Sequence, residues 1–265
     1  MDLGLRDKTA LVAAASRGLG KAVALALARE GANIVMFSRD AAAIEAAARE
    51  VQDAADGGAK IVGVAADVTK HEDLERVVHT AEQRFGGVDI LYNNAGGPKP
   101  GVFDTLSDED WQSAVELNLL SAIRLTRLCL PHMKAKHWGR VITGTSSSVK
   151  QPLPTLMLSN SVRSATTAWS KTLADQVAAD GITVNTVAPG RINTERVRQI
   201  DEDLAQRTSR SRDEVEREAL KTVPIGRYGE PAEFGAVVAF LASEAASYVT
   251  GVTLLVDGGL FRGTY

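Results

Sequence analysis

The sequence predicts an α/β protein, a doubly wound parallel sheet of about seven strands with helices on both faces. Three observations predict it. Short apolar runs alternate with helix-patterned segments along the chain, the rhythm of repeated strand–helix–strand units. The runs are apolar throughout rather than alternating, as strands buried on both faces must be. No linker, low-complexity tract or repeat interrupts the 265 residues, so residues 1–265 read as a single domain.

The expected strands are residues 9–13, 33–37, 60–65, 88–92, 140–144, 183–188 and 252–256. Between them, 18–30, 41–55, 70–85, 108–136, 156–179 and 231–242 carry apolar residues at helical spacing. Asp40 reads as the N-cap of the helix that follows it. Ser107 reads as another, ahead of Asp108, Glu109 and Asp110 in a first turn where acids suit the helix dipole. One segment breaks the rhythm: 191–223 is polar and charge-rich. Its length fits a substrate lid carrying short helices, or a solvated surface excursion.

Composition narrows the function. Net charge is −3, the isoelectric point is near 5.9 and aromatics are 5% of the chain. That leaves no basic face for nucleic acid or anionic lipid, and no stacking platform for bases. Cys129 is the single cysteine, which rules out an intramolecular disulfide and reads as a small buried hydrophobe. Residues 1–8 are polar and no apolar run approaches a membrane span, so no signal peptide is expected and the cytoplasm is the expected location. No cluster of His, Asp or Glu has metal-ligand spacing. His132 and His137 read as surface or packing residues.

The chemistry-bearing motif follows the first expected strand. Ala13-Ala14-Ala15-Ser16-Arg17-Gly18-Leu19-Gly20 leads directly into a helix. Glycines there let the backbone approach a pyrophosphate, which the unpaired N–H groups and dipole of a helix start favour. The expected fold is therefore Rossmann-type. The second strand runs into Ser38-Arg39-Asp40. A site for NAD commonly places an acid there to hold the ribose 2′-hydroxyl; here Ser38 offers a hydroxyl, and Arg39 and Arg17 can pair with a 2′-phosphate. With Asp40 committed to its helix, NADP(H) is expected in preference to NAD(H).

In these motifs and their order the chain resembles the short-chain dehydrogenase/reductase family over nearly its whole length, in particular members similar to 3-oxoacyl-ACP reductases. Ala14, Gly18 and Gly20 stand at the family's glycine motif. Asp67-Val68 looks like its adenine contact, and Asn93-Asn94-Ala95-Gly96 matches the motif that supports the cofactor. Pro189-Gly190, Ile192 and Thr194 match the stretch that holds the nicotinamide carboxamide. The resemblance implies catalytic roles for Asn118 and for Ser146. The stretch Pro224–Pro231, with Gly251 and Asp257-Gly258-Gly259, resembles the family's reductase-like members. It also implies a homotetramer, with helices 108–136 and 156–179 at one interface and 251–265 at the other.

Two positions depart from the family's pattern. Ala14 replaces the first motif glycine, so the turn is either strained or rerouted. Counting from Ser146 and from Leu173-Ala174, the family's YxxxK falls on Ser159-Asn160-Ser161-Val162-Arg163. Arg163 can keep the cation and the ribose contact with a different fork geometry. Ser159 is a much weaker acid than a phenol and too short to reach the substrate, although it can relay a proton through water. Tyr92, Tyr228, Tyr248 and Tyr265 lie where the family does not place its acid. Lys150 is the alternative donor, expected near Arg163 with a lowered pKa, or a solvated loop lysine.

Three functions remain open on these residues. One is an NADP(H)-dependent oxidoreductase interconverting a carbonyl and a secondary alcohol, with an atypical proton donor. Another is a catalytically silent dinucleotide-binding protein, and the third a dehydratase or isomerase that uses the pocket without net redox. The substrate is expected to be a small molecule, shaped by the lid and by 97–103. Arg191, Arg196 and Arg198 either bind an acidic substrate or face solvent.

Overall fold

The computed structural model describes residues 2–55 and 58–264; Tyr265, named above, lies outside them. The strands are β1 (Thr9–Ala13), β2 (Asn33–Ser38), β3 (Ile61–Ala65), β4 (Ile90–Asn93), β5 (Gly139–Gly144), β6 (Ile182–Pro189) and β7 (Thr253–Val256). They form one seven-stranded sheet in the order β3-β2-β1-β4-β5-β6-β7, and every adjacent pair is parallel. The order reverses between β1 and β4. In a doubly wound sheet the crevice at such a switch point, outside the carboxyl ends of the strands, is where ligands bind.

The helices are α1 (Gly18–Arg29), α2 (Ala41–Asp53), α3 (His71–Phe85), α4 (Asp108–Val115), α5 (Ser121–Lys136), α6 (Met157–Val177), α7 (Glu195–Thr208), α8 (Arg212–Thr222) and α9 (Pro231–Ala242). Both faces of the sheet are covered, as its apolar strands require. On one face Val23 and Leu27 of α1, Ile44 of α2 and Phe234 of α9 pack on Val12, Ile34 and Tyr92. On the other, Leu74 of α3, Leu125 and Cys129 of α5 and Ala174 of α6 pack on Leu11, Val35 and Val141. Gly235 lets α9 lie against α1: a Cβ there would sit 2.6 Å from the Ala22 carbonyl oxygen. Cys129 is fully buried, and burial pushes its thiol up, away from the reactive thiolate.

The expected caps form. Asp40 accepts from the Ala43 amide, and Ser107 from the Asp110 amide in a reciprocal capping box. One expectation needs correction. Residues 108–136 are not one continuous helix, because Glu116–Leu120 form a π-helical turn between α4 and α5. Such a turn adds a residue to the helical repeat and frees a carbonyl from the ladder. The out-of-rhythm segment holds two capped helices, α7 started by Thr194 and α8 by Ser211. Among the described residues no helix is long and apolar enough to cross a membrane.

Candidate active site

The turn after β1 is strained rather than rerouted. Ala14 keeps the left-handed conformation, at φ 50°, which costs a residue with a Cβ about 1–2 kcal/mol. Gly18 follows at φ 58°, and a Cβ on Gly20 would lie only 2.4 Å from the Ala14 carbonyl oxygen. The turn is thus drawn tightly against the start of α1. Ser16 and Leu19 are half-buried in it. Arg17, the residue before α1, gives no side-chain cap, so the helix's first amides are left to an external acceptor. An uncapped helix start reached through residues that let the backbone come close fits a dinucleotide's pyrophosphate.

At the end of β2, Ser38 is half-buried and Arg39 is exposed. Asp40 turns its carboxylate into α2. Arg17, also exposed, reaches across to Glu195 at the start of α7, 2.7 Å away. Beyond β3, Asp67 closes a short turn by accepting from the amide and hydroxyl of Thr69. Its own amide donates to Asp73, the main cause of that carboxyl's lowered pKa.

At the switch point a small cleft, open to solvent, is lined by Val68, Asn94, Ala95, Asn118 and Arg163 among others. The loop after β4 is braced from three sides. Asn93 donates to the hydroxyls of Thr126 and Thr143, Asn94 donates to the Ala13 carbonyl, and Asn118 donates to the Gly96 carbonyl at 3.0 Å. Asn118 sits in the π-helical turn, and its diverted carbonyl accepts from Thr166 of α6. Its side-chain oxygen is buried with no protein partner. A Cβ on Gly96 would meet open space.

Arg163 and Ser159 lie one turn apart on the buried side of α6. The Arg163 guanidinium donates to the carbonyls of Gly144 and Thr145, at 3.0 and 3.2 Å. Burial pulls it down to about 10; Tyr92 opposes that shift and the charge of Arg196 adds to it. The group stays cationic at neutral pH. Ser146, half-buried at the end of β5, accepts from the Ser148 amide and starts a single 3-10 turn. Lys150 ends that turn. It is exposed and does not line the cleft.

The stretch after β6 is held by close backbone packing. Gly190 packs so tightly on Asp257 that a Cβ would lie 2.6 Å from the aspartate's own Cβ. Pro189 ends the strand and Ile192 is buried in a bridge to Gly229. Thr194 caps α7 through the Val197 amide, with its methyl 3.8 Å from where a Gly18 Cβ would be. The glycine turn and the residue that caps α7 therefore lie side by side.

Two neighbours of the cleft escaped sequence reasoning. Gly144 lines it, and without a side chain it leaves room for the Tyr92 hydroxyl, which would lie 2.6 Å from a Cβ there. Tyr92 is wholly buried, its hydroxyl has no protein partner, and burial pushes the phenol well above its usual range. The signal was a tyrosine inside an otherwise aliphatic strand. Elsewhere, burial and a bond to Asp201 hold the Tyr228 phenol at about 12, and Tyr248 is fully exposed.

A family model described as enoyl-(acyl carrier protein) reductase matches residues 13–261. The 3-oxoacyl-(acyl-carrier-protein) reductase FabG of Vibrio cholerae is 38% identical over 98% of this chain and 99% of its own. The chain belongs to the short-chain dehydrogenase/reductase family. The solved structure of L-sorbose reductase from Gluconobacter frateurii, complexed with NADPH and L-sorbose, superposes with a TM-score of 0.93. It is 34% identical and covers 99% of this chain and 100% of its own. A 7α-hydroxysteroid dehydrogenase complexed with NADH and 7-oxoglycochenodeoxycholic acid gives a TM-score of 0.89 at 30% identity, over 100% of this chain and 98% of its own. As a member of this family the chain is an oxidoreductase with a Rossmann-like dinucleotide-binding fold.

Proposed function

We propose that the chain is an NADP(H)-dependent oxidoreductase that interconverts a carbonyl and a secondary alcohol on a small molecule, without a tyrosine as proton donor. The observation that carries this reading is the pairing, in one cleft at the switch point, of Asn118 with the buried cation of Arg163.

The α1 start with Ser16, Gly18, Leu19 and Gly20 would hold the pyrophosphate. Asp67 and Val68 would border the adenine; Asn94, Ala95, Gly96 and Arg163 the nicotinamide ribose; Pro189, Gly190, Ile192 and Thr194 the carboxamide. The preference for the 2′-phosphorylated form rests on the end of β2. Asp40 is spent as a helix cap, while Arg39 and Arg17 offer cations to a phosphate.

When bound, the reduced nicotinamide supplies a hydride for the carbonyl carbon. Ser146 donates a hydrogen bond to the substrate oxygen and steadies the charge that develops on it. Arg163 holds a fixed positive charge beside the reaction, favouring that same charge. The proton comes from water ordered by Ser146 and Ser159 or from Lys150, whose exposed position gives it direct exchange with solvent.

The test follows nicotinamide absorbance with NADPH against a panel of ketones, aldehydes and oxoacyl thioesters. Turnover is expected, with Ser146→Ala lowering kcat at least tenfold. The double variant Ser159→Tyr with Arg163→Lys is expected to raise kcat. Lys150→Ala separates the two proton sources: a tenfold loss assigns the proton to Lys150, and no loss assigns it to water. Tight NADPH binding with no turnover on any compound would overturn the reading.

A further inference from the structure

The lid begins with three arginines, and the structure gives them three different positions. Arg191 is neutralised: it donates to buried Asp201 at 2.6 Å and to the Tyr228 hydroxyl, which itself donates to Asp201. Arg198 is exposed and faces an outer groove shared with Arg212 and Arg227. Arg196 turns inward. Its guanidinium lies against the backbone of Gly97, with Nη2 3.3 Å and Nε 3.4 Å from the place a Cβ would occupy.

Gly97 directly follows Gly96, whose carbonyl is held by Asn118. Arg196 therefore covers the loop that carries Asn94, Ala95 and Gly96 at the mouth of the cleft. It is half-buried, and no carboxylate among the described residues pairs with it. The adjacent Glu195 is turned away toward Arg17. Arg163, the cation that lines the cleft itself, donates only to backbone carbonyls. Each charge is close enough to be felt by the other, which adds to the fall in the Arg163 pKa. Two like charges at a partly desolvated cleft, with no acid between them, repel one another until an anion enters.

We propose that Arg196 recognises a negatively charged group on the substrate, a carboxylate or phosphate carried on the carbonyl or alcohol compound that this cleft converts. The inference rests on the oxidoreductase reading above and adds the substrate's charge class. A guanidinium suits both anions, because its planar fork can donate two parallel bonds to either. The cofactor's own phosphates have other receptors, namely the uncapped α1 start and the exposed Arg17 and Arg39. Arg196 stands beyond them, over the loop after β4.

The experiment compares acids with uncharged counterparts of the same skeleton: 2-oxobutanoate and 3-oxobutanoate with their methyl esters, and dihydroxyacetone phosphate with dihydroxyacetone. With NADPH, kcat/KM is expected to favour at least one charged partner tenfold or more, which also tells carboxylate from phosphate. Arg196→Met is expected to remove that preference, Arg196→Lys to restore part of it, and Arg198→Met to keep it. NADPH affinity, titrated directly on each variant, is expected to change less than twofold in Arg196→Met. A preference that survives Arg196→Met, or a wild type that favours every neutral partner, overturns the proposal. So does a parallel loss of NADPH affinity, which would assign Arg196 to the cofactor's phosphates. Calorimetric binding of the same pairs to the NADP+-loaded protein needs no turnover. Anion-selective binding lost in Arg196→Met, with no reaction on any compound, would sink the oxidoreductase reading and leave the arginine's role standing.

Discussion

Arg17 Nη1 lies 2.7 Å from Glu195 Oε2, so the glycine turn after β1 is tied by charge to the first residue of α7. Both side chains are mostly exposed, at 76% and 69%. A pair in that setting contributes under about 1 kcal/mol. On the NADP(H) reading proposed above, a 2′-phosphate competes with Glu195 for Arg17 and, with its greater charge and several acceptors, is expected to displace it. Arg17→Ala is therefore expected to weaken NADPH tenfold or more and NADH less than twofold. Glu195→Gln, which releases Arg17, should tighten NADPH a few-fold. Fluorescence titration with both nucleotides measures this, and equal losses for the two in Arg17→Ala would remove Arg17 from 2′-phosphate recognition.

Ala14 carries its strain for no gain visible in its own contacts. Relief of a left-handed alanine is worth about 1–2 kcal/mol, and the added freedom of glycine in the unfolded chain takes back roughly 0.5–1 kcal/mol. Ala14→Gly is expected to raise stability by about 0.5–1 kcal/mol in denaturant titration. Gly20→Ala, which would drive a methyl into the Ala14 carbonyl, should lower it by more than that. A less stable Ala14→Gly would mean that the turn uses the alanine methyl for packing.

Much of this architecture is legible in the sequence because burial on both faces forces strand centres such as residues 34–37 to be apolar, and helical periods separate the strands. The caps were legible too, since Asp40 and Ser107 precede helices whose start they satisfy chemically. What stayed hidden depends on contacts between distant segments. The π-helical turn at Glu116–Leu120 leaves no mark in periodicity, because one extra residue shifts the apolar stripe by less than its own width. The inward turn of Arg196 is equally invisible. Arg191, Arg196 and Arg198 are one residue type, and only the path of the chain past Gly97 separates their placements. The exposed placement of Lys150 is set by the 3-10 turn after Ser146, which residue types alone do not announce.

Asp89 sits at the opposite, amino-terminal edge of the sheet and sets an acid limit on stability. It is almost fully buried, and burial alone would push its carboxyl up. Bonds from Lys136 and from the Thr9 amide, the Lys136 charge and a contact with His132 outweigh that and leave it below the ordinary value of 3.8. A carboxyl depressed in the folded state contributes stability above its unfolded pKa and loses it as pH falls through the folded one. Asp89→Asn is expected to be less stable than wild type near neutrality, with the gap narrowing below about pH 4. Urea midpoints measured from neutral pH downward test this. A gap that stays constant with pH would mean that the carboxylate's charge plays no part.

Tyr92 decides whether a phenol still serves this site. Its ring packs edge-on against Phe234, with centroids 6.5 Å apart at 69°, and that contact does not need the hydroxyl. The hydroxyl itself is buried beneath Gly144 without a protein partner. A group desolvated without a bond costs roughly 1–3 kcal/mol, so its removal leaves stability unchanged or higher. Tyr92→Phe is thus expected to keep or raise the denaturation midpoint. It should also leave kcat within twofold, because a phenol pushed upward by burial and sealed under the sheet neither meets the substrate nor gives up its proton. Loss of turnover in a well-folded Tyr92→Phe would show that the phenol missing from position 159 had been replaced from the other side of the sheet.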